Sequence, residues 1–397
     1  MFLVGDFIPK NSKICLPSFD GGVVLANLEG PVCGAGLPPS GKVGVCLHSA
    51  PFEVPGKWAF SLANNHTMDF QEEGLRQTRQ FLSGKGFEYA GAGENETAAR
   101  RPMILIEQGK RMAVFSCCER QFGMATERSA GVAEMGVWLY EAIRSIKARG
   151  EADRVIVSCH AASEFCPWPA PSLRKFYHSL VDVGADVIHG HHAHVPQGWE
   201  VYKDKPIFYG LGNFIVKVDD WRGSVHYGWS NVVEINWRAD KIHWRVRPYF
   251  LIMKDGVIHC NPATPEQQAL ADDYMGKANF ALTSSMNCEA CWQEAACRLY
   301  PRLYEQPLRA ASSANRRLSI RNRVRKLVFA FGDVARAVVG RELKTRRSGH
   351  YATVLYNYLN CASHVELIRT ALGVETGVLP DMRTRETSKL AEEIIVV

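Results

Sequence analysis

The sequence contains no apolar run as long as the roughly 18 residues that a membrane-spanning helix needs. It also has no internal repeat and no low-complexity tract, which argues against solenoid and linker-type chains. Charged residues make up 22% of the 397 positions and hydrophobic residues 46%, which are ordinary globular values. The composition therefore predicts a globular protein with one large domain and an appendage, or with two domains.

The 12 cysteines lack the spacing of a disulfide framework, and Cys117 and Cys118 adjoin each other. We therefore interpret most of them as reduced thiols. The first residues, MFLVGDF, include no basic segment, no long apolar stretch and no small-residue cleavage site of a secretory signal. Together these features lead us to expect a cytoplasmic protein.

The positive charge is concentrated near the carboxyl terminus. Between Arg298 and Arg347, 14 Lys and Arg residues stand against three Asp and Glu residues. Because the whole chain carries only +6, the remaining residues are net negative. The pattern changes from strand signals to helical signals near Pro262 to Pro265. We therefore expect a domain over 1–262 and a basic, mostly helical region over 263–397.

Over the first 250 residues, short apolar runs alternate with stretches in which apolar residues recur at helical spacing. Strands are predicted at 2–4, 23–25, 103–107, 112–116, 154–158, 186–188, 207–209, 232–237 and 242–248. Helices are predicted at 137–149 and 172–183, each followed by a glycine. Strands that alternate with helices predict a layered α/β domain.

Five clusters of polar side chains each follow a predicted strand. They are Gly5-Asp6, the segment NLEG at 27–30, the segment LANNHTMDF at 62–70, His160 with Glu164, and the run from His189 to His194. Ligands of open α/β sheets collect outside the carboxyl ends of the strands, so these side chains can converge. Together they offer carboxylates, amides and imidazoles, which suit two borderline divalent cations.

Each cluster also has a simpler interpretation. Gly-Asp alone is typical of a turn, and NLEG of an ordinary loop. His160 alone could be a hydrogen-bonded core histidine. The Asn-Asn-His triplet is harder to explain in this way, because burying two amides and an imidazole without partners is unfavourable. Four histidines within six residues are typical of a metal site.

The order of the motifs resembles the bacterial capsule-synthesis family CapA (poly-gamma-glutamate capsule synthesis), a branch of the calcineurin-like metallophosphoesterases. The motifs, spread over about residues 1–250, are GD, NLEG, LANNHTMDF, GAG at 91–93, an H-x-x-x-E segment, GADVIHGHHAHV and IFYGLGNFI. The resemblance implies a four-layer αββα sandwich with a two-metal centre at the strand ends. The two divalent ions would be Mn, Fe, Zn or Mg.

The resemblance also implies a role for each matching residue. The implied metal ligands are Asp6, Glu29, Asn65, His160, His192 and His194. Glu29 would bridge the two ions. The implied catalytic group is His66 as general acid, Asp69 to orient His66, and Glu164 to support His160.

Two motifs depart from the family pattern. The segment His160 to Phe165 reads HAASEF where the family has His-Trp-Gly-x-Glu-Tyr, and His-Ala-His replaces His-Pro-His at 192–194. The surviving ligand types favour a metal-dependent hydrolase that acts on a phosphoester or anionic polymer in capsule or cell-surface polymer synthesis. The lost Trp-Gly leaves an alternative, a non-catalytic assembly factor that binds polymer or capsule-synthesis proteins. A phosphodiesterase for a small metabolite is a third candidate.

The basic C-terminal block contains apolar residues at helical spacing over 324–338. This stretch is either a helix packed on its own domain or part of a basic surface at 298–347. Such a surface would bind an anionic polymer, or an anionic membrane at its inner face. No nucleic-acid-binding motif accompanies the charge, so no nucleic-acid partner is expected.

Four cysteines raise the question of a second metal site. Cys288 and Cys291 have the spacing of a zinc-binding pair, with Cys297 and Cys260 as further candidates. A second close pair is missing, and thiols on a helix are the other interpretation.

Overall fold

The computed structural model describes residues 1–10, 13–19, 21–34, 36–40, 42, 46–216, 225–238, 241–305, 308 and 355–395. All the candidate site residues lie within these ranges. The amphipathic stretch 324–338 and most of the segment 298–347 lie outside them. The helix and the basic surface expected there therefore stay predictions.

The strands of the described chain are β1 (Phe2–Phe7), β2 (Lys13–Cys15), β3 (Val23–Leu28), β4 (Lys57–Ser61), β5 (Glu88–Ala90), β6 (Ala92–Gly93), β7 (Met103–Glu107), β8 (Lys110–Cys118), β9 (Gly131–Val132), β10 (Arg154–His160), β11 (Val187–His191), β12 (Trp199–Tyr202), β13 (Lys205–Phe208), β14 (Asn213–Ile215), β15 (Trp229–Arg238), β16 (Lys241–Lys254) and β17 (Val257–Pro262). The α-helices are α1 (Gln71–Gly84), α2 (Glu96–Ala99), α3 (Trp138–Ala148), α4 (Pro171–Asp182), α5 (Pro265–Phe280), α6 (Ser285–Tyr300), α7 (Ala362–Glu375) and α8 (Arg385–Ile394). Residues 355–360 are also helical.

Two large sheets are built from strands within residues 2–262, the part of the chain that we call the front domain. The first has the strand order β2-β17-β16-β15-β1-β3-β4-β5, with β14 also paired to β1. The second has the order β12-β13-β11-β10-β8-β7. Parallel pairing joins β1, β3, β4 and β5 in the first sheet, and β8, β10, β11 and β13 in the second. The carboxyl ends of the parallel strands therefore share one edge of each sheet.

The sequence of the central strands explains their position. β10 reads RVIVSCH, and all its residues after Arg154 are buried, as expected for a parallel strand covered on both faces. β7 and β8 pair antiparallel and form a hairpin. Its turn residues Gln108 and Gly109 have φ values of 50° and 74°, and positive φ at both positions is typical of a two-residue hairpin turn.

The two sheets pack face to face, and helices cover their outer faces. Between the sheets, Leu3 and Leu25 share an apolar core with Val114 and Ile156. Leu75 and Leu82 of α1 belong to the core on the outer side of the first sheet. Residues of α3 and α4 belong to the core outside the second sheet. The predicted four-layer αββα sandwich is confirmed.

The helical C-terminal region packs against this sandwich. β17 ends at Pro262, and α5 begins at Pro265 after a Thr264 N-cap. Trp292 of α6 and Leu367 of α7 share a core with Trp168 and Trp229 of the front domain. The prediction of a mostly helical extension is confirmed for the described residues. None of the described helices combines the length and the apolarity that crossing a bilayer requires.

Candidate metal centre

The carboxyl ends of strands from both sheets meet at one site. Asp6 lies in β1, Glu29 directly follows β3, His160 ends β10, and His192 directly follows β11. The loop after β4 carries Asn65. The two sheets approach closely here, because His189 Nε2 on β11 lies 2.9 Å from the carbonyl oxygen of Val4 on β1.

Two glycines allow the backbone between β13 and β14 to lie close to β1 and β11. A Cβ on Gly5 would overlap the carbonyl oxygen of Gly212, and a Cβ on Gly190 would overlap that of Tyr209. Gly5 lies directly before Asp6, and Gly190 lies two positions before His192. A larger residue at either place would push its strand away from the neighbouring backbone.

Six of the predicted site residues form three overlapping groups. In each group, one ligand atom per residue lies within 4.8 Å of the others. The groups are Glu29 with His160 and His192, Asp6 with Glu29 and His194, and Glu164 with His192 and His194. Glu29 belongs to two groups, as a bridging carboxylate would. Asn65 joins the first group, because its Oδ1 lies 3.1 Å from His160 Nε2.

Glu29 lies at the centre of the imidazoles. Its Oε1 is 3.6 Å from His194 Nε2 and 3.9 Å from the Nε2 atoms of both His66 and His160. These distances are longer than hydrogen bonds. The side chain is fully buried, and neither carboxylate oxygen has a hydrogen-bond donor among the described residues.

The two central carboxyl groups differ in their pKa. Burial opposes the ionisation of Asp6, but His191, His194 and the amide of Asn27 outweigh it and lower the pKa of Asp6 to about 2. Burial raises the pKa of Glu29 to about 8, against the opposing effect of nearby His194. Glu29 lacks the donors that stabilise Asp6, and this accounts for the difference.

The imidazoles of the site also differ from one another in their pKa. Burial lowers the pKa of His192 to about 3, and burial with neighbouring histidines holds the pKa of His160 well below its usual value. Burial also opposes the charge on His194, but Glu29, Asp6 and Glu164 raise its pKa to about 9. His160 and His192 are therefore neutral near pH 7, the form in which an imidazole binds a metal.

The backbone of the histidine loop, residues 192–194 directly after β11, adopts an unusual conformation. His192 and His194 have φ values of 90° and 57°, in a region that residues other than glycine rarely occupy. Such conformations persist where the surrounding structure holds them, and they cluster at functional sites. The loop places both imidazoles in the groups that contain Glu29 or Glu164.

These residues fit divalent metal ions. A buried carboxylate without donors costs free energy unless a cation compensates it. Both ring nitrogens of His192 are likewise buried and without a hydrogen-bond partner among the described residues. Two carboxylates, one amide oxygen and three imidazoles are a donor set suited to Mn, Fe or Zn. Each ion would be held by one group, with Glu29 shared between them.

His66 lies beside this cluster and contacts Asp69. Its Nδ1 is 2.6 Å from Asp69 Oδ2, which leaves Nε2 on the side of Glu29. Burial and the charge of Lys42 lower the pKa of His66, and Asp69 opposes them. The Asp69 carboxylate also accepts from the backbone N–H of Leu47, so it is rigidly held.

Glu164 lies at the rim of the cluster. A carboxylate oxygen of Glu164 is within 4.8 Å of ligand nitrogens of His192 and His194. It therefore belongs to a candidate ligand group, a position that its predicted supporting role did not include. Its support of His160 stays a prediction.

The sequence reasoning missed several residues that hold the site. The amide of Asn27 donates to Asp6 Oδ1 at 2.8 Å and lies 3.1 Å from His160 Nδ1. Asn213 Oδ1 lies 3.0 Å from His194 Nδ1. Asn27 belongs to the motif NLEG and Asn213 to the motif IFYGLGNFI, so these motifs could have indicated both residues. Lys42 Nζ, which donates to Asp69 Oδ1 at 2.9 Å, had no such motif.

A cavity of about 590 Å³ opens beside His66, Asn65 and His194. Its volume is typical of small-molecule sites. The C-terminal region supplies one wall, which includes Tyr304, Tyr358 and His364. These three rings contact one another with centroids 5.1 to 5.5 Å apart. No motif in the sequence indicated that this region would reach the site.

The cysteines do not extend the metal chemistry. Cys288 and Cys291 are buried in α6, and Cys260 is buried in β17. Within the described ranges, no candidate metal group includes a cysteine. The structure therefore favours the alternative of thiols on a helix.

The family model described as "Bacterial capsule synthesis protein PGA_cap" matches residues 16–218. A protein of Mycobacterium tuberculosis (strain H37Rv) with the name "Probable polyglutamine synthesis accessory protein" is 35% identical over 221 residues, which cover 51% of this chain and 56% of that protein. The capsule biosynthesis protein CapA of Bacillus anthracis is 34% identical over 165 residues, 40% of each protein. The chain thus spans about half the length of the curated relatives it matches.

Among solved structures, a phosphatase from Mycoplasma pneumoniae has a TM-score of 0.36 and 11% identity, covering 69% of this chain and 97% of that one. A 5′-nucleotidase precursor from Thermus thermophilus has a TM-score of 0.31 and 15% identity, covering 54% and 41%. These scores are low, so the fold rests on the strands and helices described above.

The matched range contains the segments that carry the site, except for Asp6 in β1. These segments are the NLEG, Asn-His, His160 and His192-x-His194 motifs. The match covers half of the chain, confirms the predicted resemblance to CapA, and shows that the chain belongs to the family of bacterial capsule synthesis proteins PGA_cap.

Proposed function

We propose that this protein is a metal-dependent hydrolase that acts on a phosphoester in the synthesis or remodelling of a capsule or another anionic cell-surface polymer. The observation that carries the proposal is Glu29, a buried carboxylate with no hydrogen-bond donor among the described residues and three imidazoles within 3.9 Å. A pair of divalent cations would compensate such a group, and His160 and His194 would be among the residues that hold them.

Asp6, Glu29 and His194 would hold one ion, and Glu29, Asn65, His160 and His192 the other. Bound divalent ions supply Lewis acidity and lower the pKa of water toward neutrality. The remaining steps fall to the side chains of this chain. Asn27 keeps Asp6 and His160 in register through one amide group.

His66 acts as the general acid. Its Nδ1–H donates to Asp69, so in the protonated imidazolium form Nε2–H is the group that can transfer a proton to a leaving group, which leaves His66 neutral. Lys42, at the edge of the cavity, adds positive charge next to His66 and Asp69. This charge favours an anionic substrate.

The cavity volume bears on the kind of substrate. A cavity of about 590 Å³ accommodates a small phosphoester or the end of a polymer. This observation supports the small-metabolite phosphodiesterase as a second candidate. Activity on nucleotides or sugar phosphates without activity on capsule polymer would favour that candidate.

Binding partners form a separate part of the proposal. The concentration of 14 Lys and Arg residues between Arg298 and Arg347 supports contact with an anionic polymer, an anionic membrane at its inner face, or capsule-synthesis proteins. Sedimentation with liposomes tests the membrane version. Equal sedimentation with anionic and neutral lipid would exclude it.

The test of the function is hydrolysis of an aryl phosphate and a bis-aryl phosphodiester by the full chain after loading with Mn²⁺, Fe²⁺ or Zn²⁺. We expect His66→Ala to lower kcat by about 10²- to 10⁴-fold, with the bound metal unchanged. Equal kcat in wild type and His66→Ala would contradict the assigned role. Two bound metals without turnover of any phosphoester would favour the non-catalytic assembly factor instead.

A further inference from the structure

A buried contact connects the C-terminal region to the metal centre. Glu119, directly after β8, is 5% exposed and lies next to His192, with 3.6 Å between its Oε1 and His192 Nε2. Ser363 of α7 donates to the same oxygen at 2.6 Å, and the Cys361 thiol lies 3.6 Å from it. A carboxyl group of the front domain is thus shared between α7 and a candidate metal ligand.

The start of α7 is fixed to this place by further bonds. The backbone N–H of Ala362 donates to the carbonyl oxygen of Arg120 at 3.0 Å. The side-chain amide of Asn360 donates to the carbonyl oxygen of Gln121 at 3.1 Å. Residues 119–121 therefore bind successive positions of the C-terminal segment, and Ser363 and Cys361 are themselves buried.

The chemistry of imidazole gives Glu119 a task. When one ring nitrogen of a neutral histidine binds a metal, the other carries the proton and needs an acceptor. Both ring nitrogens of His192 lack a hydrogen-bond partner among the described residues. Glu119 Oε1 is the acceptor that lies beside one of them.

We propose that Glu119 is a positioning residue that orients His192 for metal binding, and that Ser363 of the C-terminal region holds Glu119 in place. The inference rests on the proposed metal centre. It assigns the C-terminal region a part in assembling that centre, in addition to the cavity wall. A carboxyl group keeps an acceptor lone pair in either protonation state, so the role does not depend on titration of Glu119.

The test is Mn²⁺ binding to the full chain, measured by calorimetry, with folding checked by circular dichroism. Glu119→Met removes the acceptor at nearly constant size, and Glu119→Gln retains one oxygen. We expect Glu119→Met to weaken one of the two Mn²⁺ sites by about 10- to 100-fold, and Glu119→Gln to restore much of the loss. Loss of a merely structural side chain would not be rescued in this way.

Two serine variants provide a matched pair. Ser363→Ala removes the bond to Glu119. Ser172→Ala removes another serine–carboxylate bond between the front domain and α7, from Ser172 in α4 to Glu366. We expect Ser363→Ala to weaken the same Mn²⁺ site and Ser172→Ala to leave both sites unchanged. This pair decides the question if Glu119→Met fails to fold.

The two ways in which the inference can fail are distinguishable. Wild-type protein that binds no Mn²⁺ would overturn the metal centre and this inference together. Wild-type protein that binds two Mn²⁺ ions, with Glu119→Met binding them equally well, would overturn the inference alone. Equal losses in Ser363→Ala and Ser172→Ala would also overturn it, since they would indicate a general effect of C-terminal docking.

Discussion

The opposite ends of the parallel strands differ in how a buried carboxylate is paired. At the amino end of β11, Asp186 is 2% exposed and accepts from Lys147, from Lys205 and from the backbone N–H of Val155, all at 2.8 to 2.9 Å. At the carboxyl ends, Glu29 directly follows β3, is equally buried and has no donor among the described residues. A structural carboxylate is fully paired, whereas a carboxylate without donors marks a place for a ligand.

We expect the largest effect at the carboxyl ends of the strands, for a change in the loop that follows β11. His192→Ala removes an imidazole from the group with Glu29 and His160. The variant should lose one metal equivalent and nearly all turnover, because the remaining ligands leave Glu29 poorly compensated. Metal content by elemental analysis and kcat are the measurements.

His178 provides the control for this variant. It lies on α4, stacks on Tyr202 and contacts Glu200 at 2.7 Å, and it belongs to none of the candidate metal groups of the described chain. His178→Ala should retain full metal content. Equal metal loss in both variants would remove the distinction between the two ends of the sheet.

Substitution of the paired carboxylate Asp186 should lower the stability of the protein and leave metal binding intact. Asp186→Asn weakens the pairing with Lys147 and Lys205, and we expect a loss of about 2 kcal/mol in the free energy of unfolding at pH 7. Urea denaturation measures it. Unchanged stability, or loss of bound metal, would contradict the assignment of Asp186 as purely structural.

The stability difference between wild type and Asp186→Asn should also depend on pH. Although burial opposes ionisation of Asp186, the two lysines and the Val155 N–H lower its pKa below the ordinary value of 3.8. A carboxyl group with a lowered pKa contributes stability above its unfolded pKa and loses it as the pH falls through the folded pKa. The difference between wild type and Asp186→Asn should therefore shrink below about pH 4. A difference that stays constant down to about pH 3 would show that ionisation is not the cause.

The smallest effect concerns Lys42, which pairs with a carboxylate inside the site. Lys42 Nζ donates to Asp69 Oδ1 at 2.9 Å and to the Asn65 carbonyl oxygen at 2.8 Å. Lys42→Met should lower kcat by roughly tenfold through misplacement of Asp69 and His66, with metal content retained. Steady-state kinetics with parallel metal analysis test this, and a loss of metal would place Lys42 among the groups that hold the ions.

Much of the fold and of the site could be predicted from sequence because both depend on local patterns. The spacing of Leu139, Ile143 and Ile146 places one face of α3 in the core, and the buried run RVIVSCH leads to His160. Ligands at the ends of parallel strands converge through sheet geometry, which the strand order alone implies. Asp6, Glu29 and His194 therefore lie together although up to 188 positions separate them.

The contacts that the sequence did not predict join residues that no motif and no local spacing pattern connects. Ser363 reaches Glu119 across 244 positions, and neither residue stands in a motif. Tyr304 and Tyr358 look like ordinary helix residues in the sequence, yet they line the cavity. Such tertiary contacts depend on how the C-terminal helices dock on the sandwich, which spacing within one helix does not determine.

The metal content of the purified full chain tests the central claim most directly. After exposure to manganese, iron and zinc and removal of excess metal, elemental analysis should find about two ions per chain. His192→Ala should bind fewer, and His178→Ala should match the wild type. Wild-type protein that retains no metal under any of these conditions would contradict the two-metal centre around Glu29.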